Sequence, residues 1–262
     1  MTDMTASADK TACGLIRSQL LLRHGILGFF TTRGGGVSPP PFDSLNFATD
    51  SDDAPDHIRQ NIDIISAEAP LPCPPHQARQ VHKSDLIWCA GYGHMHQIDA
   101  DILLSRDTDA PVAVRTADCL PVLLADPQSR IVAAVHAGWR GTADTVVRAA
   151  VTAMVEQGAR PERILASLGP CIGPCCFEIG EDAADKLAAS SPGAENQILT
   201  HPLRADLAAI NRLQLLDCGI IEPHIECSFL CTVCHPDQFY SFRRDGHHSG
   251  RQLAVVAIPS ST

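Results

Sequence analysis

Apolar residues along this chain fall into short runs separated by turn-forming residues. Ile26–Thr31, Ala100–Leu104, Val112–Arg115, Pro121–Ala125, Ile131–His136, Ile164–Gly169 and Gln252–Ile258 are rich in Val, Ile and Leu, the composition of strands. A helical period replaces this pattern over Thr142–Glu156, where Val146, Val147, Ala150 and Met154 share one face and Gly158 supplies a stop. Further helices are predicted over Glu181–Ala189 and Arg204–Cys218, the latter with Gly219 placed as a C-cap.

Val112–Arg115, Pro121–Ala125 and Ile131–His136 follow one another too closely to admit crossover helices. Their sheet must therefore be mixed or antiparallel. The pattern predicts an α+β fold, a single domain over residues 21–262 with mixed β-sheets covered by helices. Residues 1–20 are expected to form a loosely ordered polar tail. The Pro-rich segment Ala69–Pro75 is expected as a surface loop, and no internal repeat is present.

Composition narrows the function classes. At 262 residues, 45% hydrophobic and 19% charged, the chain is long and apolar enough to bury a substantial core. Its formal charge is −10, without a Lys/Arg-rich run, so a nucleic-acid partner is not expected. No segment reaches the roughly 18 apolar residues of a membrane span, and the N-terminus lacks the apolar core of an export signal. Eleven cysteines in such a chain predict reduced thiols and a cytoplasmic setting.

Three segments present metal-ligating side chains: His82 in Gln80-Val81-His82, Cys119 after Thr116-Ala117-Asp118, and His136 before Ala137-Gly138-Trp139. Two histidines and a cysteine suit zinc, whose catalytic sites keep three protein ligands and an open position. Copper binding in vitro is also expected at such a set, because copper outcompetes zinc in the affinity order. Asp85 and Asp118 are candidate acceptors for the second ring nitrogen of a histidine ligand. The glycine loop Thr31–Ser38, with Arg33 as a charged donor, is a candidate anion cradle. Arg243, Arg244 and Arg251 concentrate positive charge near the C-terminus and offer a second.

Cysteines elsewhere carry less chemistry. Cys171, Cys175 and Cys176 lie in a glycine/proline loop with no local group to activate a thiol and are expected to be buried and inert. Cys231 and Cys234 have CxxC spacing but no second such pair, which predicts a structural role.

The ordered set TTRGGGVS, SLNF, QVHKSD, TADCLPVLLAD, AAVHAGWRGT, GPCIGPCCFEIG and SFRRDGHHSGR resembles the YfiH-like, laccase-domain family of purine nucleoside phosphorylases, from about Leu27 to Ile258. The resemblance places zinc ligands on His82, Cys119 and His136. It implies phosphorolysis of adenosine, inosine, guanosine and methylthioadenosine with inorganic phosphate, and deamination of adenosine as a further activity. Arg33 and Arg244 would then contact substrate or phosphate, with Cys119, His82, His136 and Arg33 forming the catalytic set.

Other enzyme classes use the same residues. A copper-dependent polyphenol oxidase of laccase type needs several His-x-His pairs, whereas only His94-Met95-His96 has that form. A cysteine hydrolase, acting for example on cell-wall precursors, would use Cys119 as nucleophile and a histidine as base without a metal. A non-catalytic binding protein would close the site with a fourth ligand.

Overall fold

The computed structural model describes residues 14–259. At its centre lies a six-stranded mixed sheet, in the order Ile225–Cys227, Leu165–Leu168, Leu120–Asp126, Ile131–Ala137, Ile102–Ser105 and Leu86–Cys89. The outermost pairing at each edge is parallel and the inner ones are antiparallel. A second, antiparallel sheet runs Leu15–Arg17, Leu27–Thr31, Gln252–Ala257 and Val112–Thr116.

The two-residue alternation of the central strands divides their side chains between two cores. Leu120, Val122, Leu124, Ala133 and Val135 cluster with Val146, Val147, Ala150 and Met154 of the helix Val146–Glu156. Leu123, Ala125, Val132 and Ala134 instead meet Phe30, Val114, Ala254 and Val256 of the second sheet. That sheet's other face, with Phe29, Ala113, Leu253 and Val255, packs with Leu45, Phe47 and Ile65, the last on the helix Pro55–Glu68. The order is helix, sheet, sheet, helix. Strands buried on both faces read as unbroken apolar runs, which is why they are visible in the sequence. Each fully buried Leu or Val contributes about 1.5–3 kcal/mol.

Three boundaries differ from expectation. The helix predicted over Thr142–Glu156 is two helices, Trp139–Ala143 and Val146–Glu156, broken at Thr145, whose φ is 55°. Buried side chains support the break: Gln214 Nε2 donates to the Thr142 carbonyl at 2.8 Å and Asn211 Nδ2 to its hydroxyl at 2.9 Å. Arg204 belongs to a strand, Leu203–Ala205. The helix after it spans Leu207–Asp217, opening at Asp206, whose carboxylate accepts from the Ala209 amide. Finally, the tail expected through residue 20 is structured where it is described. Leu15–Arg17 pairs with Leu27–Thr31, and Ser18 caps a helix over Gln19–Arg23. Residues 1–13 of that expectation lie outside the described residues. No helix among the described residues is long and apolar enough to cross a membrane.

Candidate functional site

Two adjacent strands bring Cys119 and His136 together. Leu120–Asp126 pairs antiparallel with Ile131–Ala137 in a register that sets Leu120 against Ala137 and Pro121 against His136. Cys119, immediately before the first strand, thus shares a strand face with His136. His82 arrives from the loop after the strand Gln77–Arg79. The ligand atoms of His82, Cys119 and His136 lie within 4.8 Å of one another.

Asp101 holds this geometry. Its fully buried carboxylate accepts from the amides of Val81, His82 and Lys83 at 3.0–3.1 Å and from His136 Nδ1 at 2.6 Å. The amide contacts fix the loop while His82 adopts a φ of 60°, a left-handed conformation a residue with a side chain keeps only when its surroundings enforce it. The imidazole contact commits Nδ1–H of His136 to the carboxylate and leaves Nε2 as the nitrogen a metal ion would engage. Asp101 is thus the acceptor that sequence reasoning sought at Asp85 or Asp118. Asp85 instead uses its carbonyl to accept from the amides of Asp101 and Ile102. Asp118, at φ 85°, accepts from the Thr232 hydroxyl and the Arg243 amide, each at 2.6 Å.

Electrostatics favours a thiolate here. Burial opposes ionisation of Cys119, but His136 and His82 beside it outweigh burial and bring its pKa from 9.0 to about 6. His136 moves the opposite way: burial disfavours its cation, yet Cys119 and Asp101 overcome that and raise it. Asp101 is held below the usual carboxylate range, its burial outweighed by His136 and the loop amides.

The donor set fits a single borderline metal ion. His82 Nδ1 is buried without a hydrogen-bond partner, a state that costs free energy unless a ligand engages it. Gly138 keeps the adjoining space open: a Cβ there would sit 2.7 Å from His82 Nδ1 and 3.0 Å from Cys119 Sγ. Zinc needs about 2.0–2.3 Å to N and S ligands, within reach of small side-chain movements.

The trio lines a cavity of about 430 Å³ with Asp50, Asp118, Arg115, Arg140, Arg243 and Arg251, and with Trp139, Phe177 and Phe242 as its aromatic wall. Four arginines against two aspartates make a cationic recess in a chain of net charge −10. Arg115 anchors by donating to the Thr49 hydroxyl and the Ala78 carbonyl, and Arg243 lies over the Phe177 ring. Burial lowers the pKa of Arg115 to about 10, so it stays cationic at neutral pH. Of the residues expected at an anion site, Arg251 and Arg243 line this cavity, but Arg33 and Arg244 do not. Arg33 pairs with Asp43, donates to the Asp43 and Pro236 carbonyls and lies over Tyr240. Arg244 pairs with Asp245 and donates to the carbonyls of Thr232, Val233 and Phe239. The thiols expected to be buried also divide: Cys171 is buried, whereas Cys176 is half-buried and Cys175 is exposed.

Residues 28–259 match the family model described as multi-copper polyphenol oxidoreductase laccase. Purine nucleoside phosphorylase YfiH of Shigella flexneri is 37% identical over 244 residues, covering 92% of this chain and 98% of that protein. Its Escherichia coli K12 counterpart of the same name is 36% identical over 88% of this chain and 93% of its own length. The crystal structure of the Bacillus licheniformis hypothetical protein YfiH superimposes with a TM-score of 0.86 at 28% identity, over 94% of this chain and 97% of the other. YlmD from Geobacillus stearothermophilus gives the same TM-score and identity over 96% and 98%. With a matching family model, relatives of this identity along nearly the whole chain and a shared fold, the chain belongs to the YfiH-like, laccase-domain family.

Proposed function

We propose that this chain catalyses phosphorolysis of purine nucleosides at a zinc centre held by His82, Cys119 and His136. The observation that carries the metal is the buried, partnerless Nδ1 of His82 beside the space Gly138 keeps open. The nucleoside reading draws on the relatives named purine nucleoside phosphorylase and on a cavity whose volume suits a small ligand. In the reaction a phosphate oxygen bonds to C1′ of the ribose and the bond from C1′ to N9 breaks. Its electron pair leaves on the purine, which takes a proton, giving free base and ribose 1-phosphate.

Each part of the cavity has a task in this reading. Trp139, Phe177 and Phe242 supply faces for a purine, and Arg115, Arg243 and Arg251 supply planar donors for phosphate. Arg33 and Arg244 brace the loops whose carbonyls they bind. Zinc supplies Lewis-acid polarisation or a water of lowered pKa. Adenosine, inosine, guanosine and methylthioadenosine are the substrates, and deamination of adenosine is a further activity of the same centre. The free cysteines support a cytoplasmic setting.

The test is an assay of adenosine with and without inorganic phosphate, following adenine and ribose 1-phosphate, on protein whose metal content is measured in the same sample. Ribose 1-phosphate should form only with phosphate, at about one zinc in the trio per chain. If no purine nucleoside yields it, the phosphorylase reading fails. One observation favours a second reading: Cys119 is a partly exposed thiol of lowered pKa beside His136, as in a cysteine hydrolase. Full activity after metal removal would select that reading.

A further inference from the structure

The thiols of Cys175, Cys176, Cys231 and Cys234 converge from two loops far apart in sequence. All four sulfur atoms lie within 4.8 Å of one another. Cys234 Sγ is 3.5 Å from both Cys175 Sγ and Cys176 Sγ. These separations far exceed the roughly 2.05 Å of a disulfide. They match the edge of a zinc tetrathiolate, about 3.8 Å for four Zn–S bonds of about 2.3 Å at tetrahedral angles. A CxxC pair and an adjacent Cys-Cys pair therefore meet as a closed set of four soft donors.

The surroundings complete the set. The two loops are pinned in register by hydrogen bonds from the Cys171 amide to the Leu230 carbonyl and from the Thr232 amide to the Cys171 carbonyl. The Gly173 amide donates to Cys231 Sγ at 3.3 Å. Arg204, Arg243 and Arg244 donate to the carbonyls of Cys175, Cys176, Thr232 and Val233. Zn²⁺ with four thiolates carries a net charge of −2, and three guanidinium groups beside it offset that charge.

We propose that Cys175, Cys176, Cys231 and Cys234 bind a second, structural zinc ion, independent of the His82–Cys119–His136 centre and of whichever reaction that centre performs. Four thiolates leave zinc no open position, so this ion ties loops together and takes no substrate. What it ties is a wall of the cavity. Thr232, between the two cysteines of the CxxC, holds Asp118 next to Cys119, and Cys176 precedes Phe177 of the aromatic wall.

Cobalt substitution tests the site. Full-length protein, reduced and handled without oxygen, is exchanged from zinc to Co²⁺, whose tetrathiolate complex has intense sulfur-to-metal charge-transfer and visible ligand-field bands distinct from those of a His₂Cys site. Wild type should bind about two ions per chain. His82→Ala together with His136→Ala should keep one ion and the full tetrathiolate spectrum. Cys234→Ser should lose that spectrum and one equivalent, while Cys234→His should retain an ion with a shifted spectrum. The histidine variant leaves the four thiols intact, so its result does not depend on the cysteine variants folding. If the reduced double histidine variant binds no cobalt, or if all four thiols alkylate at the free-thiol rate in zinc-loaded wild type, the proposal is overturned.

Discussion

Asp101 shows how one buried acid organises a site. It sits in an apolar stretch, Ala100–Leu104, which reads from sequence as a strand interior and conceals it. The signal was its cost: a carboxylate buried beside the strand Ile102–Ser105 must be paired, and only the fold shows the pairing to be with His136 and the 81–83 amides. His82, Cys119 and His136 were legible because each stands at the edge of a patterned segment with ligating chemistry. Replacing Asp101→Asn should weaken zinc binding at the trio about 10–100-fold, the usual loss on changing a carboxylate behind a histidine ligand. Competition against a chelator measures it, and unchanged affinity would reduce Asp101 to a loop anchor. Cys119 permits a second test at this scale. Because its pKa falls to about 6, its thiolate fraction rises as pH rises through that value and is nearly complete by neutrality. In metal-stripped protein its alkylation rate, followed on the Cys119 peptide, should level off above about pH 7. A rate still climbing toward the ordinary thiol value of 9.0 would contradict the assigned environment.

Elements buried on both faces were the most legible, and half-exposed ones the least. The runs Pro121–Ala125 and Ile131–His136 coincide with strands whose every residue is buried. Pro55–Glu68 escaped the sequence reading. It buries only Asn61 and Ile65 fully, so its apolar stripe is thin, and the remaining cue was a proline at the first helical position. The division of the Thr142 helix was invisible for another reason. Its support, Asn211 and Gln214, lies on a helix about seventy residues away, and no local pattern encodes such a contact. The two-sided burial carries an energetic consequence. Leu123 is fully buried where the central sheet meets the second, so Leu123→Ala should cost about 2–5 kcal/mol, transfer and cavity terms together. The denaturation midpoint should fall with the slope unchanged. A loss under about 1 kcal/mol would mean that the interface between sheets collapses into the gap.

At the scale of the molecule the cavity wall is assembled from segments that share no sequence neighbourhood, from Asp50 and Gln80 through Arg115 and Phe177 to Arg251. That is why the cavity's set of arginines was the least legible part of the site. Arg33 and Arg244 stand in glycine-rich or basic segments that look like anion sites, yet their guanidinium groups serve carbonyls and carboxylates of their own surroundings. Arg115, inside a strand, gave no such cue. On the proposed function, the acidic remainder of the chain would repel phosphate at long range, and the local field of the recess would have to offset that repulsion. A surface field of this kind weakens with salt, because the Debye length shortens from about 10 Å at 0.1 M to about 3 Å at 1 M. Phosphate KM should therefore rise with ionic strength at constant nucleoside. Arg251→Ala and Arg243→Ala should each raise phosphate KM about tenfold, equivalent to about 1.4 kcal/mol, with the metal at the His82–Cys119–His136 centre unchanged. Arg33→Ala should leave that KM near the wild-type value. Initial rates against phosphate concentration, with metal determined on the same samples, decide the matter. Should Arg33→Ala raise KM while Arg251→Ala and Arg243→Ala do not, phosphate binds at the glycine loop and the cavity arginines serve only the wall.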